Sequence, residues 1–329
     1  MKIKELHIEK LYEKYDFDWS FDDKVNILAG INGSFKSTLL NIIKKMCEID
    51  NPDYDLSHVK ASYTDGYQLD YYCTSLDSHF DTPQKKIDFI NKIKETNPEI
   101  TLPVQEGQYE RLKITMSHFD EQKDGVKITE EDFKKEVILY YISTFDIKHE
   151  TKQDESQLDA ILNKLQSEYG FYLSDLAKKV SEFVATHNTL TKEDLDKINH
   201  KKDVFISIVN ESFKETNKVI DPNESKIVFI HQEDQTRIPA SKLSSGEKQL
   251  LIIFLTVLLQ NQSECIVVMD EPEISLHIHW QYALIDNLIR LNPNAQFIIS
   301  THSPSIFGKG WGTKVVYTHK LVSTEHGRD

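Results

Sequence analysis

The stretch Cys265-Ile266-Val267-Val268-Met269 runs straight into Asp270-Glu271-Pro272-Glu273. An unbroken apolar run with no alternation suits a strand covered on both faces, as in a parallel sheet. Two adjacent carboxylates at the tip of such a strand are costly to bury without a cation or hydrogen-bond donors. The chain must therefore bury this strand and still give its C-terminal end something to bind. Two flanking stretches frame it. Leu243-Ser244-Ser245-Gly246-Glu247-Lys248-Gln249 precedes it, followed by the apolar run Leu250 to Leu259, broken only by Thr256. After it, Phe297-Ile298-Ile299 leads into Ser300-Thr301-His302-Ser303-Pro304.

The N-terminal third supplies a complementary pattern. Ile3, Leu6, Ile8 and Leu11, then Tyr15, Phe17, Trp19 and Phe21, predict strands with one covered face. Val25 to Ala29 predicts a short buried strand that enters Gly30-Ile31-Asn32-Gly33-Ser34-Phe35-Lys36-Ser37-Thr38. Leu39, Leu40, Ile42, Ile43 and Met46 then follow helical spacing. Strand, glycine-containing loop, Lys-Ser and helix is the arrangement that cradles phosphates, because loop N–H groups and a helix N-terminus converge on the anion. In that reading Asn32, Gly33, Ser34, Phe35, Lys36, Ser37 and Thr38 form the cradle. Lys36 reaches the β- and γ-phosphates and the Ser37 hydroxyl ligates magnesium. Phe35 stands where such loops usually carry glycine, and a side chain there threatens to crowd the phosphate or strain the backbone. An ordinary turn with a chance Lys-Ser pair is the plainer alternative.

Between these ends the pattern changes. Tyr63 to Tyr72 and Tyr109 to Ser117 predict strands, Pro83 to Thr96 a helix, and Val137 to Phe145 a strand. Thr129-Glu130-Glu131-Asp132 predicts a capped helix start. Leu158, Ile161, Leu162, Leu165, Leu176, Val180, Phe183 and Val184 predict a helical run interrupted at Gly170. Leu195, Ile198, Phe205, Ile208, Val209 and Phe213 predict a second run, entered through Thr191. Each run is at most ~30 residues, so an arm would reach only roughly 45 Å. Lys226 to Ile230 returns to strand, and Lys314 to Thr318 is expected to be the last one.

Composition narrows the function classes. With 329 residues the chain can build one large or two modest domains. A net charge of −14 argues against bulk electrostatic binding of nucleic acid, and the scattered lysine doublets read as solvated helix faces. Three cysteines, Cys47, Cys73 and Cys265, show no metal-ligand spacing and fit a reducing cytosol. No signal-peptide core opens the chain, and Leu250 to Leu259 is about half of a bilayer span. A soluble, cytoplasmic protein with no membrane partner is expected.

Taken together, the motifs resemble those of P-loop ATPases of the ABC class. The nearest likeness is to the chromosome-maintenance and RecF-like branch with its bacterial anti-phage defence ATPases, of OLD type or Septu (PtuA-like) type, without a nuclease domain. Four features stand in that family's order: Gly30 to Thr38, Leu243 to Gln249, Val267 to Glu271, and His302 in Ser-Thr-His-Ser-Pro. The resemblance covers about residues 1 to 50 and 226 to 318. It implies an α/β fold, a P-loop NTPase head of ABC type with a mixed sheet flanked by helices. The ATP-binding core would be residues 1–50 and 226–329, with residues 51–225 an inserted, mostly helical lobe containing a helical hairpin.

The resemblance also assigns roles. Asp270 would hold Mg2+ through water together with Ser37, and Glu271 would act as general base. His302 would contact the γ-phosphate. Ser244, Ser245, Gly246 and Glu247 would close on ATP bound to a second subunit, so a head-to-tail homodimer or higher oligomer is implied. Glu273 to His277 would line that interface. The glutamine that couples the lobe to magnesium has Gln68, Gln105 and Gln108 as candidates. Tyr12 or Tyr15 could stack on adenine, although packing within a strand accounts for either. A metal cluster of His277, His279 and His302 has no visible supporting groups and is set aside. The leading expectation is an ATP-driven dimerising switch in anti-phage defence. Little sequence follows His302, so a separate effector polypeptide, nuclease or toxin, is expected. The alternatives are a RecF-like repair ATPase with nucleic acid as partner, a scaffold that binds ATP without turnover, and a transporter subunit.

Overall fold

In the computed structural model, residues 1–50, 52, 54–74, 110–120, 123–143, 156–187 and 189–325 are described. The helix expected over Pro83 to Thr96, along with Gln105 and Gln108, lies outside them. Strands β1 (Ile3–Leu11) and β2 (Tyr15–Ser20) pair antiparallel and bury Ile3, Leu6, Ile8, Leu11, Phe17 and Trp19 on one side. The five residues of β3 (Val25–Ala29) are all buried. Helix α1 (Lys36–Glu48) follows and buries Leu39, Leu40, Ile42, Ile43 and Met46. The chain continues through β4 (His58–Tyr63), β5 (Tyr67–Thr74), β6 (Glu110–Asp120) and β7 (Lys123–Lys127). Thr129 then caps α2 (Glu130–Glu136), and β8 (Leu139–Ser143) follows. A helical pair, α3 (Gln157–His187) and α4 (Lys192–Ser212), leads to the short strands β9 (Lys218–Ile220), β10 (Val228–His231) and β11 (Arg237–Pro239). The remainder is α5 (Ser245–Leu259), β12 (Ile266–Asp270), α6 (Ile278–Leu291), β13 (Gln296–Thr301), α7 (Pro304–Phe307), β14 (Val315–Tyr317), α8 (Thr318–Leu321) and β15 (Val322–Glu325).

Among the described residues the strands form three sheets. A five-stranded parallel sheet has the order β14-β3-β13-β12-β8, and a seven-stranded antiparallel sheet the order β15-β2-β1-β4-β5-β6-β7. A three-stranded sheet, β11-β10-β9, is the smallest. Alternation along β12 shows how the layers stack. Val267 and Met269 join one apolar core with residues of α3, α4, α5 and α6. Ile266 and Val268 join another with α1 and the antiparallel sheet. The parallel sheet is thus covered on both faces, which is why its strands read as unbroken apolar runs. Helix α5 is apolar all round for the same reason: it buries Leu250 to Leu255, Val257 and Leu258 between neighbours.

Within residues 51–225, β4 and β5 extend the sheet from β1, and β8 pairs with β12. Backbone pairing, invisible to apolar periodicity, carries these strands into the core, and the helical addition is the α3–α4 pair. Tyr63 to Tyr72 is broken by a turn at Thr64–Gly66, where Asp65 takes a left-handed backbone. Lys314 to Thr318 is not the last strand, since β15 returns to pair with β2. Gly170 does not interrupt α3, which continues through it to His187.

A Cβ at Gly170 would meet only the Ser225 carbonyl oxygen at 3.9 Å, an ordinary contact. The glycine therefore only loosens the unfolded chain and the helix. Gly170→Ala is expected to raise stability by about 0.5–1 kcal/mol, measured as a shift in urea midpoint at constant slope. A loss of stability would show that the helix needs glycine here.

Candidate functional site

Three neighbouring parallel strands deliver the site. In register, Ala29 of β3 faces Thr301 of β13, and Ser300 of β13 faces Asp270 of β12. The loop after β3, the pair Asp270-Glu271 and His302 therefore emerge side by side at the C-terminal ends of the strands, where open α/β sheets place their ligands. A cavity of about 450 Å³ opens there. It is lined by Asn32, Gly33, Ser34, Phe35, Lys36, Ser37 and Thr38 together with Tyr12, Glu271 and His302.

Lys36 is the buried cation of the site, 4% exposed. Its Nζ donates to the carbonyl oxygens of Gly30 and Ile31, both at 3.2 Å, and lies 2.6 Å from His302 Nε2. These three acceptors match the three protons of an ammonium group. Burial pushes the Lys36 ammonium below its ordinary value, against the opposing pull of the Glu271, Asp270 and Glu273 carboxylates. His302 Nε2 also lies 3.0 Å from Glu271 Oε1. That single nitrogen can accept from Lys36 or donate to Glu271, but not both at once. One imidazole proton thus decides whether His302 pairs with Glu271 or with Lys36.

The acids are held by neighbours on β13 and after it. Ser300 Oγ donates to Asp270 Oδ1 and accepts from the Glu271 N–H at 3.1 Å. Asp270 is buried at the strand tip rather than in the cavity lining. Glu271 takes a left-handed backbone, φ 49°. The strand β12 ends one residue earlier, at Asp270. Sequence reasoning gave Glu273 only a place on an interface loop, but the fold makes it the positioning residue for His302. Its Oε1 accepts from Thr301 Oγ1 at 2.6 Å, from the His302 N–H at 2.8 Å and from the Ser303 N–H at 3.3 Å. Its place two residues after Glu271 was the only sequence signal.

Phe35 resolves differently from the crowding expected of it. It caps α1 with φ 67°, the left-handed region that favours glycine. Its ring packs against Tyr15, Phe17 and Tyr12, with centroids 5.2, 5.7 and 5.8 Å away. The β1–β2 hairpin holds a strained aromatic where a glycine would need no support. Tyr12, 44% exposed, lines the cavity, whereas Tyr15 is absent from its lining. The buried Ser34 Oγ has no hydrogen-bond partner among the described residues, which leaves a hydroxyl for a phosphate oxygen. Ser34, Lys36, the Ser37 hydroxyl and Asp270 are thus the donor and hard-oxygen set that a nucleotide phosphate and Mg2+ require. The residues present fit that ligand.

Ser244, Ser245, Gly246 and Glu247 do not line this cavity. Ser244 and Ser245 are exposed at the start of α5. Ser244 and Glu247 form a reciprocal capping box. Glu247, 2% exposed, is otherwise inward: Oε1 accepts from Lys218 Nζ at 2.6 Å and Thr216 Oγ1 at 3.0 Å. Burial raises its pKa, but the bonds from Lys218 and Ser244 outweigh that and hold it below the ordinary value of 4.5. Gly246 packs so tightly that a Cβ would lie 2.3 Å from the Ser275 carbonyl oxygen. The segment and the loop after Glu271 are therefore fitted to one another. Gln68 donates to Asp70 Oδ2 within the antiparallel sheet, away from the cavity lining. Cys47 and Cys265 are buried thiols pushed up to about 12 by desolvation, so neither is a nucleophile.

Two outcomes follow from these contacts. Phe35→Ala should lose more stability than Phe35→Gly, by about 1 kcal/mol in denaturant unfolding, because alanine loses the ring and keeps the left-handed penalty. The reverse order would mean that position 35 carries no left-handed penalty. Glu247 has a depressed folded pKa, so its stabilisation is present above pH 4.5 and fades as pH falls below it. Glu247→Gln should cost about 3 kcal/mol at neutral pH, and the gap to wild type should narrow on acidification. A constant gap across pH would rule out the ion pair as its source.

Known proteins resemble this chain in family, in sequence and in fold. A family profile for AAA domains, described with an AbiEii toxin of type IV toxin–antitoxin systems, matches residues 25–308. Two curated relatives are similar over part of the chain. "Retron Vc95 probable ATPase" of Vibrio cholerae serotype O1 biovar El Tor is 27% identical over 220 residues, which are 60% of this chain and 40% of that protein. "Retron Ec83 probable ATPase" of Escherichia coli is 33% identical over 89 residues, 24% of this chain and 16% of that protein. The chain thus spans less than half the length of these relatives. Among solved structures, the SMC head domain from Thermotoga maritima superposes with a TM-score of 0.51 at 14% identity, covering 94% of this chain and 92% of that one. That likeness is one of fold: a P-loop NTPase head in which helices flank a parallel and an antiparallel sheet. No helix among the described residues is long and apolar enough to cross a membrane. With the family match spanning both the phosphate loop and His302, the chain belongs to this AbiEii-type AAA domain family and is an ABC-like P-loop ATPase.

Proposed function

We propose that this ATPase binds ATP and Mg2+ between two head-to-tail copies and uses binding and hydrolysis as a conformational switch. We assign that switch to anti-phage defence, acting on a separate effector polypeptide. The observation that carries the reading is the division of the motifs. Lys36, Ser37, Asp270, Glu271 and His302 gather at one end of the parallel sheet, while Ser244 and Ser245 lie exposed elsewhere at a helix start. Exposed N–H groups at a helix N-terminus attract anions, so this segment is suited to the ATP of another copy. The retron relatives support the defence assignment.

The chain's own groups define the chemistry. Loop N–H groups and Lys36 neutralise phosphate charge, with Lys36 exchanging His302 for a phosphate oxygen. Ser37 and Asp270 would hold Mg2+, which would supply electrophilic activation of the phosphates. Glu271 orients and deprotonates the attacking water. His302, freed from Lys36, turns its Nε2 toward the γ-phosphate while Glu273 keeps its backbone in place. Tyr12, at the cavity rim, is suited to stack on the base. Phe35 does not argue for a scaffold without turnover, because its ring is held by the β1–β2 hairpin and the acids are intact.

The test uses steady-state turnover and native mass together. Glu271→Gln should lower turnover by at least about 100-fold and become dimeric when ATP is added. Lys36→Ala should remain monomeric with ATP. If Glu271→Gln hydrolyses ATP like wild type, the assignment of the base is wrong. If it binds ATP and stays monomeric, the composite site is wrong.

A further inference from the structure

Outside the phosphate cavity, one exposed spot gathers three metal-ligating side chains. Glu215 sits in the 3-10 turn Lys214–Thr216 that follows α4. His277 is the N-cap of α6 and His279 lies in its first turn. Glu215 Oε1 is 2.8 Å from His279 Nδ1, and its Oε2 is 3.9 Å from His277 Nδ1. The two imidazoles meet edge to face with centroids 5.0 Å apart. One ligand atom from each residue lies within 4.8 Å of the other two. His302, which the sequence offers as a third histidine, is committed to Lys36 and Glu271, and Glu215 takes the third place from another element.

We propose that Glu215, His277 and His279 bind a first-row divalent cation, Zn2+, as a His2Glu site with a fourth position left to water. In a tetrahedral zinc site with bonds of about 2.0–2.1 Å, ligand atoms stand about 3.3 Å apart. The observed separations fall on either side of that, so small rotations of exposed side chains complete the geometry. Two imidazoles and one carboxylate suit zinc and not Mg2+ or Ca2+, which take oxygen ligands. A hydrogen bond accounts for the contact of Glu215 with His279. It does not account for His277, which stands beyond hydrogen-bond range of the same carboxylate. The negative charge of Glu215 offsets the positive end of α6, which would otherwise repel a cation.

The supporting frame is already fixed. Trp280 Nε1 donates to the Ser212 carbonyl at 2.7 Å, and the Trp280 ring packs on Phe213 at 5.8 Å. Trp280 thus locks the start of α6 to the end of α4 beside the cluster, which is the preorganisation a metal site needs. Thr216 and Lys218, one and three residues beyond Glu215, hold the Glu247 carboxylate. A bound cation would therefore staple the frame of the Ser244–Glu247 segment to the loop that descends from Glu271.

The test titrates zinc chloride into the full chain, stripped with a chelator, in excess Mg2+ and against a chromophoric chelator. One Zn2+ per chain is expected, with a rise in melting temperature that Mg2+ alone does not produce. His277→Ala and His279→Ala should each weaken binding at least about tenfold and abolish the rise, and Glu215→Gln should weaken it in the same direction. All three residues are exposed, so the variants should keep the wild-type circular dichroism spectrum. His7→Ala, a histidine of the antiparallel sheet, should bind as wild type does. No stoichiometric zinc on the wild-type chain overturns the proposal. So does unchanged affinity in His277→Ala and His279→Ala, which would place the ion on another set of histidines.

Discussion

The parallel pairing of β3, β13 and β12 is the constraint on which the rest depends. Each of these strands is buried on both faces, so none can slip in register without moving apolar residues from one core to the other. That fixed register sets Ala29 beside Thr301 and Asp270 beside Ser300, one residue earlier on β13. The phosphate loop, the acids and His302 then emerge from a common edge with no freedom to drift apart. Antiparallel sheet and α1 on one side, helices α3 to α6 on the other, exist to keep this sheet dry.

At that edge the charges are balanced by proximity. Asp270, Glu271 and Glu273 face one buried lysine; Asp270 and Glu273 accept from hydroxyl or backbone donors of β13 and the residues just after it, and Glu271 donates its N–H to Ser300. Backbone strain is present at this edge as well: Phe35 and Glu271 take left-handed φ values, as does Ser275 in the loop beyond. Each costs about 1–2 kcal/mol for a residue other than glycine. The surrounding contacts repay it, most visibly the aromatic group around Phe35. Strain kept by packing holds side chains where an unstrained turn would not.

Glu247 and Gly246 show a second use of the same logic. Their residue types would suit direct work on a phosphate, yet within the chain one is a buried capping carboxylate and the other a close-packing position. Both shape how the exposed serines are presented. The loop after Glu271 rests on Gly246 through the Ser275 carbonyl, so Glu271 and the Ser244–Glu247 segment are linked by one short loop. Any movement of one is felt by the other.

The strand carrying Asp270-Glu271, the loop from Gly30 to Thr38 and the buried helix after Ser245 were legible because short-range pattern encodes them: unbroken apolar runs, Lys-Ser after a glycine-containing loop, a serine cap with glutamate three residues on. Sequence by itself therefore determined the nucleotide-binding class of the fold and most of the residues at the cavity. It did not reveal that β4, β5 and β8 belong to the main sheets, that Glu273 positions His302, that Phe35 turns its ring onto the hairpin, or that Glu215 meets His277 and His279. Each of these rests on a contact between residues far apart in the chain, or on a backbone angle. Periodicity reports only which face is buried, never against what. Tertiary structure alone decided these, because pairing and packing choose partners that local spacing leaves open.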